Sequence, residues 1–128
     1  MKKQTILIIE DNIFVSNLLN QILCDKYNTH IEENGFNALA FLQKGNIPDL
    51  IISDLTMPKL SGQEFLNIIK SSAFFNEIPL LILSGIDNSK ERIACLKEGA
   101  DDFMLKPFNP EELILKVSKL SSRNFKHN

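Results

Sequence analysis

Apolar positions along this chain follow two alternating rhythms. TILII (residues 5–9), DLIIS (49–53) and IPLLIL (78–83) are short runs with almost no polar break. Between them, apolar residues recur every three or four places. Residues 11–27 carry Phe14, Val15, Leu18, Leu19, Ile22 and Leu23 at that spacing, which predicts a helix. Residues 35–45 and 88–99 predict helices that stop at Gly45 and Gly99. Residues 61–72 open on Ser61 with Glu64 three places on, a capping-box pattern. THIEE (29–33) predicts a weak, polar strand and DFML (102–105) a short one. Residues 109–120 predict a helix with an Asn cap, Pro at its first position and acids in its first turn.

A β-then-α unit thus occurs five times. Short continuous strands between amphipathic helices predict a parallel sheet covered on both faces. Right-handed crossovers make the expected class α/β, a doubly wound five-stranded parallel sheet in the order 2-1-3-4-5 with five helices. The polar strand 29–33 then lies on one edge and 102–105 on the other. At 128 residues the chain fits one domain, with a core over about residues 5–120 and a short polar tail, SSRNFKHN, over 121–128.

Composition narrows the function. A hydrophobic fraction of 44% supports a core, and a formal net charge of -2 argues against direct nucleic-acid binding. No apolar run approaches the ~18 residues of a membrane span. MKKQTILIIED resembles the start of a signal peptide, but Glu10 and Asp11 end its apolar part after Ile9. Cys24 and Cys95 lack CxxC spacing and sit among apolar neighbours, so both are expected to be buried, reduced thiols in a cytoplasmic protein. Phe74 and Phe75 are expected to pack under the loop before the fourth strand. His30 and His127 read as surface residues without an acidic partner.

Ligands of such sheets bind beyond the carboxyl ends of the strands, where the strand order reverses. Glu10 and Asp11 follow the first strand, Asp54 ends the third, Ser84 ends the fourth and Lys106 follows the fifth. Taken singly, these read as helix caps, a turn acid, a loop hydroxyl and a surface lysine. On one rim they form a site. Like charges ~4 Å apart repel by roughly 4 kcal/mol at an effective dielectric of about 20, so a cation is expected among the acids. Oxygen ligands without His or Cys favour a hard cation, usually Mg²⁺ inside cells. Acids, cation, lysine and hydroxyl together suit phosphoryl transfer, with Asp54 as candidate nucleophile and an aspartyl phosphate as product.

IIED (8–11), DLTMP (54–58), LSG (83–85) and LKPF (105–108), in that order and spacing, resemble the receiver domain of two-component response regulators. The resemblance spans about residues 5–120 and implies the flavodoxin-like receiver fold. It implies that Asp54 accepts a phosphoryl group from a phosphohistidine of a sensor histidine kinase or histidine phosphotransfer protein. It implies Mg²⁺, with Mn²⁺ able to substitute, held by Asp11 directly, by Glu10 through water, by Asp54, and by the main-chain carbonyl of Thr56. Lys106 matches the lysine that contacts Asp54 or its phosphoryl group, Ser84 the switch hydroxyl, and Phe103 the aromatic switch position; the Lys106–Pro107 bond is expected to be cis. Ser84 would swing toward the phosphoryl group and Phe103 would turn inward. The surface of helix 88–98, strand 102–105 and helix 109–120 would then change for a partner or a second copy. Such a protein is a signalling switch that catalyses only its own phosphorylation and dephosphorylation. Thr56 and Ile86 flank the site and are expected to tune the phosphoryl lifetime. Two departures stand out: Phe103 lacks the hydroxyl of the common Tyr, and Ser84 lacks the methyl of the common Thr. Because Met1 reads as a natural start and no output domain follows, a stand-alone receiver or phosphorelay intermediate is expected.

Other readings fit less well. A flavodoxin-like electron carrier needs a Ser/Thr/Gly phosphate loop where this chain has EDN. A phosphatase of the haloacid dehalogenase class wants an acid two residues after the nucleophile, where Thr56 stands. A receiver that has lost phosphorylation would not keep Glu10, Asp11, Asp54, Ser84 and Lys106 together.

Overall fold

A computed structural model describes residues 3–126, with side chains as far as Arg123. Strands and helices alternate as β1 (Gln4–Ile9), α1 (Ile13–Leu23), β2 (Tyr27–Glu32), α2 (Gly35–Gln43), β3 (Leu50–Asp54), α3 (Gly62–Lys70), β4 (Leu80–Ser84), α4 (Ser89–Lys97), β5 (Asp102–Leu105) and α5 (Pro110–Lys126). The sheet order is β2-β1-β3-β4-β5, and every neighbouring pair is parallel. This is the doubly wound, flavodoxin-like order expected from the alternation.

Strand residues alternate between two buried layers. Ile6 and Ile8 pack with Leu19 and Leu23 of α1 and with Leu113, Val117 and Leu120 of α5. Leu7 and Ile9 face the other way, toward Ala38 and Leu42 of α2, Phe65, Leu66 and Ile69 of α3, and Cys95 of α4. A strand buried on both faces has no polar face to show, hence the continuous apolar runs. Burial of each such Leu or Ile contributes about 1.5–3 kcal/mol, so the layers hold the strand ends in place.

Helix starts follow their caps. Asn12, not Asp11, caps α1, accepting from the amides of Phe14 at 2.9 Å and Val15 at 3.2 Å. Ser61 and Glu64 form the reciprocal capping box of α3. Asn109 caps α5 by accepting from the Glu112 amide at 3.1 Å.

Several local expectations are corrected. α5 runs through the polar residues that read as a tail, because Ser121 is buried, its carbonyl accepts from Gln4 Nε2 at 2.9 Å, and Arg123 pairs with Asp101 at 3.0 Å. Cys24 lies exposed at the C-cap of α1, whereas Cys95 is buried as expected. Phe75 packs partly against the core, but Phe74 is 88% exposed. His30 does have an acidic partner, Glu32 on the same face of β2, and its ring stacks on Phe41 of α2 with centroids 3.9 Å apart. His127 lies outside the described residues.

Candidate functional site

Strand register builds the site. Ile9 pairs with Ser53, so the next residues, Glu10 and Asp54, emerge side by side at the switch between β1 and β3. Ser84 pairs with Leu105, so Lys106 emerges one step beyond, its amide donating to the Ser84 carbonyl at 2.7 Å. The peptide from Lys106 to Pro107 is cis.

Glu10 is 3% exposed and Asp54 5%, while Asp11 is open to solvent. Carboxylate oxygens of Glu10, Asp11 and Asp54 lie within 4.8 Å of one another. Lys106 Nζ stands 3.0 Å from Glu10 Oε1 and 3.1 Å from Asp54 Oδ1. The Asn12 amide donates to the other Glu10 oxygen at 3.2 Å. Burial pushes the Glu10 pKa up and Asp54 adds to the rise, against the opposing hydrogen bonds from Lys106 and Asn12. Burial alone would lower Lys106, but hydrogen bonds and charges from Glu10 and Asp54 outweigh it, and its pKa is raised. The ammonium therefore stays charged.

One ammonium among three carboxylates leaves an excess of two negative charges, which matches a divalent cation. The donor set is all oxygen, which suits Mg²⁺ or Mn²⁺. The residues present fit such an ion.

Two sequence candidates stand apart from this cluster. The buried Ser84 hydroxyl is closed on its own loop, accepting from the Ile86 amide at 3.1 Å and donating to the Ile86 carbonyl at 3.2 Å. Phe103 already lies in the core layer of α2, α3 and α4. Thr56 is exposed in the loop between β3 and α3.

Gly62 is a site residue that reads in sequence only as a chain breaker. A Cβ there would lie 2.2 Å from the Asp54 carbonyl oxygen and 2.7 Å from Leu55 Cα. Its amide donates to the Leu55 carbonyl at 2.8 Å. The start of α3 thus rests directly on the peptide of Asp54, a contact open only to glycine. The same loop holds Lys59 at φ +70°, a left-handed conformation uncommon outside glycine. Neither the close approach of Gly62 nor the left-handed backbone of Lys59 leaves a periodic signal in the sequence.

The family model of the response regulator receiver domain matches residues 6–118. The chain belongs to that family. Two-component response regulator ORR3 of Oryza sativa subsp. japonica is 35% identical over 120 residues, 92% of this receiver and 88% of ORR3. The receiver domain of a signal transduction histidine kinase from Syntrophus aciditrophicus superposes with a TM-score of 0.86 at 34% identity, over 93% of this receiver and 90% of that chain. The Mn(2+)-bound form of response regulator Rcp1 superposes with a TM-score of 0.78 at 29% identity, over 93% and 92%. This receiver spans 12%, 9% and 54% of three other curated relatives, the first two of them histidine kinases. Receiver domains are signalling domains of two-component systems. Among the described residues no helix is long and apolar enough to cross a membrane.

Proposed function

We propose that this receiver takes a phosphoryl group onto Asp54 from the phosphohistidine of a sensor histidine kinase or histidine phosphotransfer protein. The observation that carries the reading is the ammonium of Lys106 within 3.1 Å of Asp54 at the centre of three converging carboxylates. An Asp54 carboxylate oxygen forms the new bond to phosphorus while the phosphorus–nitrogen bond breaks, and its electron pair leaves with the donor imidazole. Glu10, Asp11, Asp54 and the Thr56 carbonyl would hold Mg²⁺, with Mn²⁺ as substitute, as the Mn(2+)-bound relative supports. The bound ion would neutralise the acids and the phosphoryl oxygens. Lys106, itself held by Glu10, fixes the Asp54 side chain and offsets charge that builds on the phosphoryl group.

The same reading makes Ser84 the switch hydroxyl. To reach the phosphoryl group it must exchange its two bonds with Ile86, which pulls the loop from Ser84 to Asn88 and with it α4. Phe103 would turn inward as that loop moves, acting through ring packing because it carries no hydroxyl. The face of α4, β5 and α5 is the proposed output surface, read by a partner or a second copy. The protein acts in the cytoplasm, binds no nucleic acid itself and turns over no external substrate. Thr56 and Ile86, both exposed beside the site, would set the phosphoryl lifetime.

Treatment with acetyl phosphate and Mg²⁺ tests this reading. Peptide mass mapping should place one phosphoryl group on Asp54, and amide shifts should change around Ser84, Ile86 and Phe103. A phosphoryl group elsewhere, or unmoved amides at Ser84, would contradict it.

A further inference from the structure

α3 and α4 are tied together by a polar contact that the phosphoacceptor site does not use. Gln63 Nε2, in the first turn of α3, donates at 3.1 Å to Oε1 of Glu98, the C-cap residue of α4. The other Glu98 oxygen, Oε2, is buried and has no hydrogen-bond partner, alone in this among the side-chain polar atoms of the described residues. A carboxylate is unfavourable there on two counts: half of it lacks a partner, and it stands at the negative end of the helix dipole. Lys70 of α3, whose stem lies beside Gly99, does not neutralise it. Its ammonium donates to the carbonyls of Asn76 and Ile78 and to Asp101. The two helices are anchored unequally. α3 buries Gly62, Phe65, Leu66 and Ile69 and is fixed at its start by the Ser61–Glu64 box. α4 buries only Cys95, while Ile93 and Leu96 are exposed. An element with so few buried apolar groups is the one that opens most readily.

We propose that Gln63 and Glu98 form a latch: Glu98 loads α4 against its seat, Gln63 holds it there, and phosphorylation of Asp54 releases it. Gln63 follows Gly62, which rests on the Asp54 peptide, so the fixed half of the latch is seated on the acceptor itself. With α4 in place, the one bond from Gln63 offsets the burial of the Glu98 carboxylate. When the loop from Ser84 pulls on α4, that bond breaks and both Glu98 oxygens reach water. Release hydrates a group that lacked a partner, so the movement is favoured to completion once it starts. The latch is a second link from the site to α4, separate from the Ser84 hydroxyl. Its release rests on the reading of Asp54 as the phosphoacceptor; its hold on α4 does not.

Amide hydrogen exchange of the full chain tests the hold without any phosphodonor. Gln63→Met keeps the length of the side chain but cannot donate, which leaves Glu98 buried with no partner. The amides of α4 should then exchange about tenfold faster or more, the scale of a buried acceptor left unpaired. Gln63→Glu sets a second carboxylate against Glu98 and should do the same. Amides of β3 and β4 should be unchanged, which separates release of α4 from general unfolding. Gln63→Met combined with Glu98→Met removes both halves and should return α4 to within about twofold of wild type. Equal acceleration in the single and the combined variant would overturn the proposal, as would an unaltered α4 in Gln63→Met and Gln63→Glu. Acetyl phosphate with Mg²⁺ then tests release, with mass mapping of Asp54 as a separate readout. Phosphorylation should speed α4 exchange in wild type but add less than about twofold in Gln63→Met, where α4 is already free. Asp54 labelled in both, with the same rise in both, would overturn the release while leaving the acceptor reading intact. No label on Asp54 would overturn the acceptor reading and the release with it, while the unphosphorylated variants still decide the hold.

Discussion

At the scale of single residues, the site is an electrostatic balance. Glu10 and Asp54 are buried and share one ammonium, so removing Lys106 strands two carboxylates. Lys106→Met is expected to cost the Mg²⁺-free protein about 3 kcal/mol in urea unfolding, with most of it recovered in saturating Mg²⁺. Equal loss with and without Mg²⁺ would contradict the balance. Gly62→Ala forces a Cβ against the Asp54 peptide. It should cost about 2 kcal/mol or more by the same unfolding assay and weaken Mg²⁺ binding measured by titration. The thiols differ in the same physical terms. Cys24 is exposed, whereas burial, then Glu98 and Glu91, push the Cys95 thiol up. A thiol-reactive dye at neutral pH should label Cys24 alone. Because the folded Cys95 pKa lies above its unfolded value of about 8.5, its contribution to stability is complete below that pH. It is lost as pH rises through the folded value. The stability of wild type relative to Cys95→Ala should therefore fall in alkaline solution, and a flat difference would contradict the shift.

At the scale of elements, caps and burial decide where helices begin and end. The capping box of α3 fixes the helix that rests on Asp54. Ser61→Ala should cost about 1 kcal/mol in thermal unfolding, the usual price of a lost cap. Helix starts and stops were readable where a local group enforces them: Ser61 with Glu64, Asn109 before Pro110, and Gly45 and Gly99 one residue past the caps of α2 and α4. The last two turns of α5 were not readable, because a helix held by a buried serine and an ion pair looks like a polar tail. The exposure of Phe14 and Leu18 was hidden for the opposite reason: the apolar stripe of α1 is wider than the face it buries.

At the scale of the whole molecule, doubly wound topology turns five separated stretches into one rim. That is why Glu10, Asp11, Asp54 and Lys106 could be named together from the sequence. Polar residues at the ends of apolar strands have one place to go once the strand order is set. What depends on packing between distant segments was not legible: the contact of Gly62 with the Asp54 peptide, the exposure of Phe74, and the pairing of His30 with Glu32. The central claim is that Asp54 is the group that receives the phosphoryl from a histidine donor. Radiolabel transfer from a phosphorylated histidine kinase to wild type and to Asp54→Asn tests it most directly. Label should pass to wild type in the presence of Mg²⁺ and fail to pass to the variant, whereas equal labelling of both would show that the acceptor lies elsewhere.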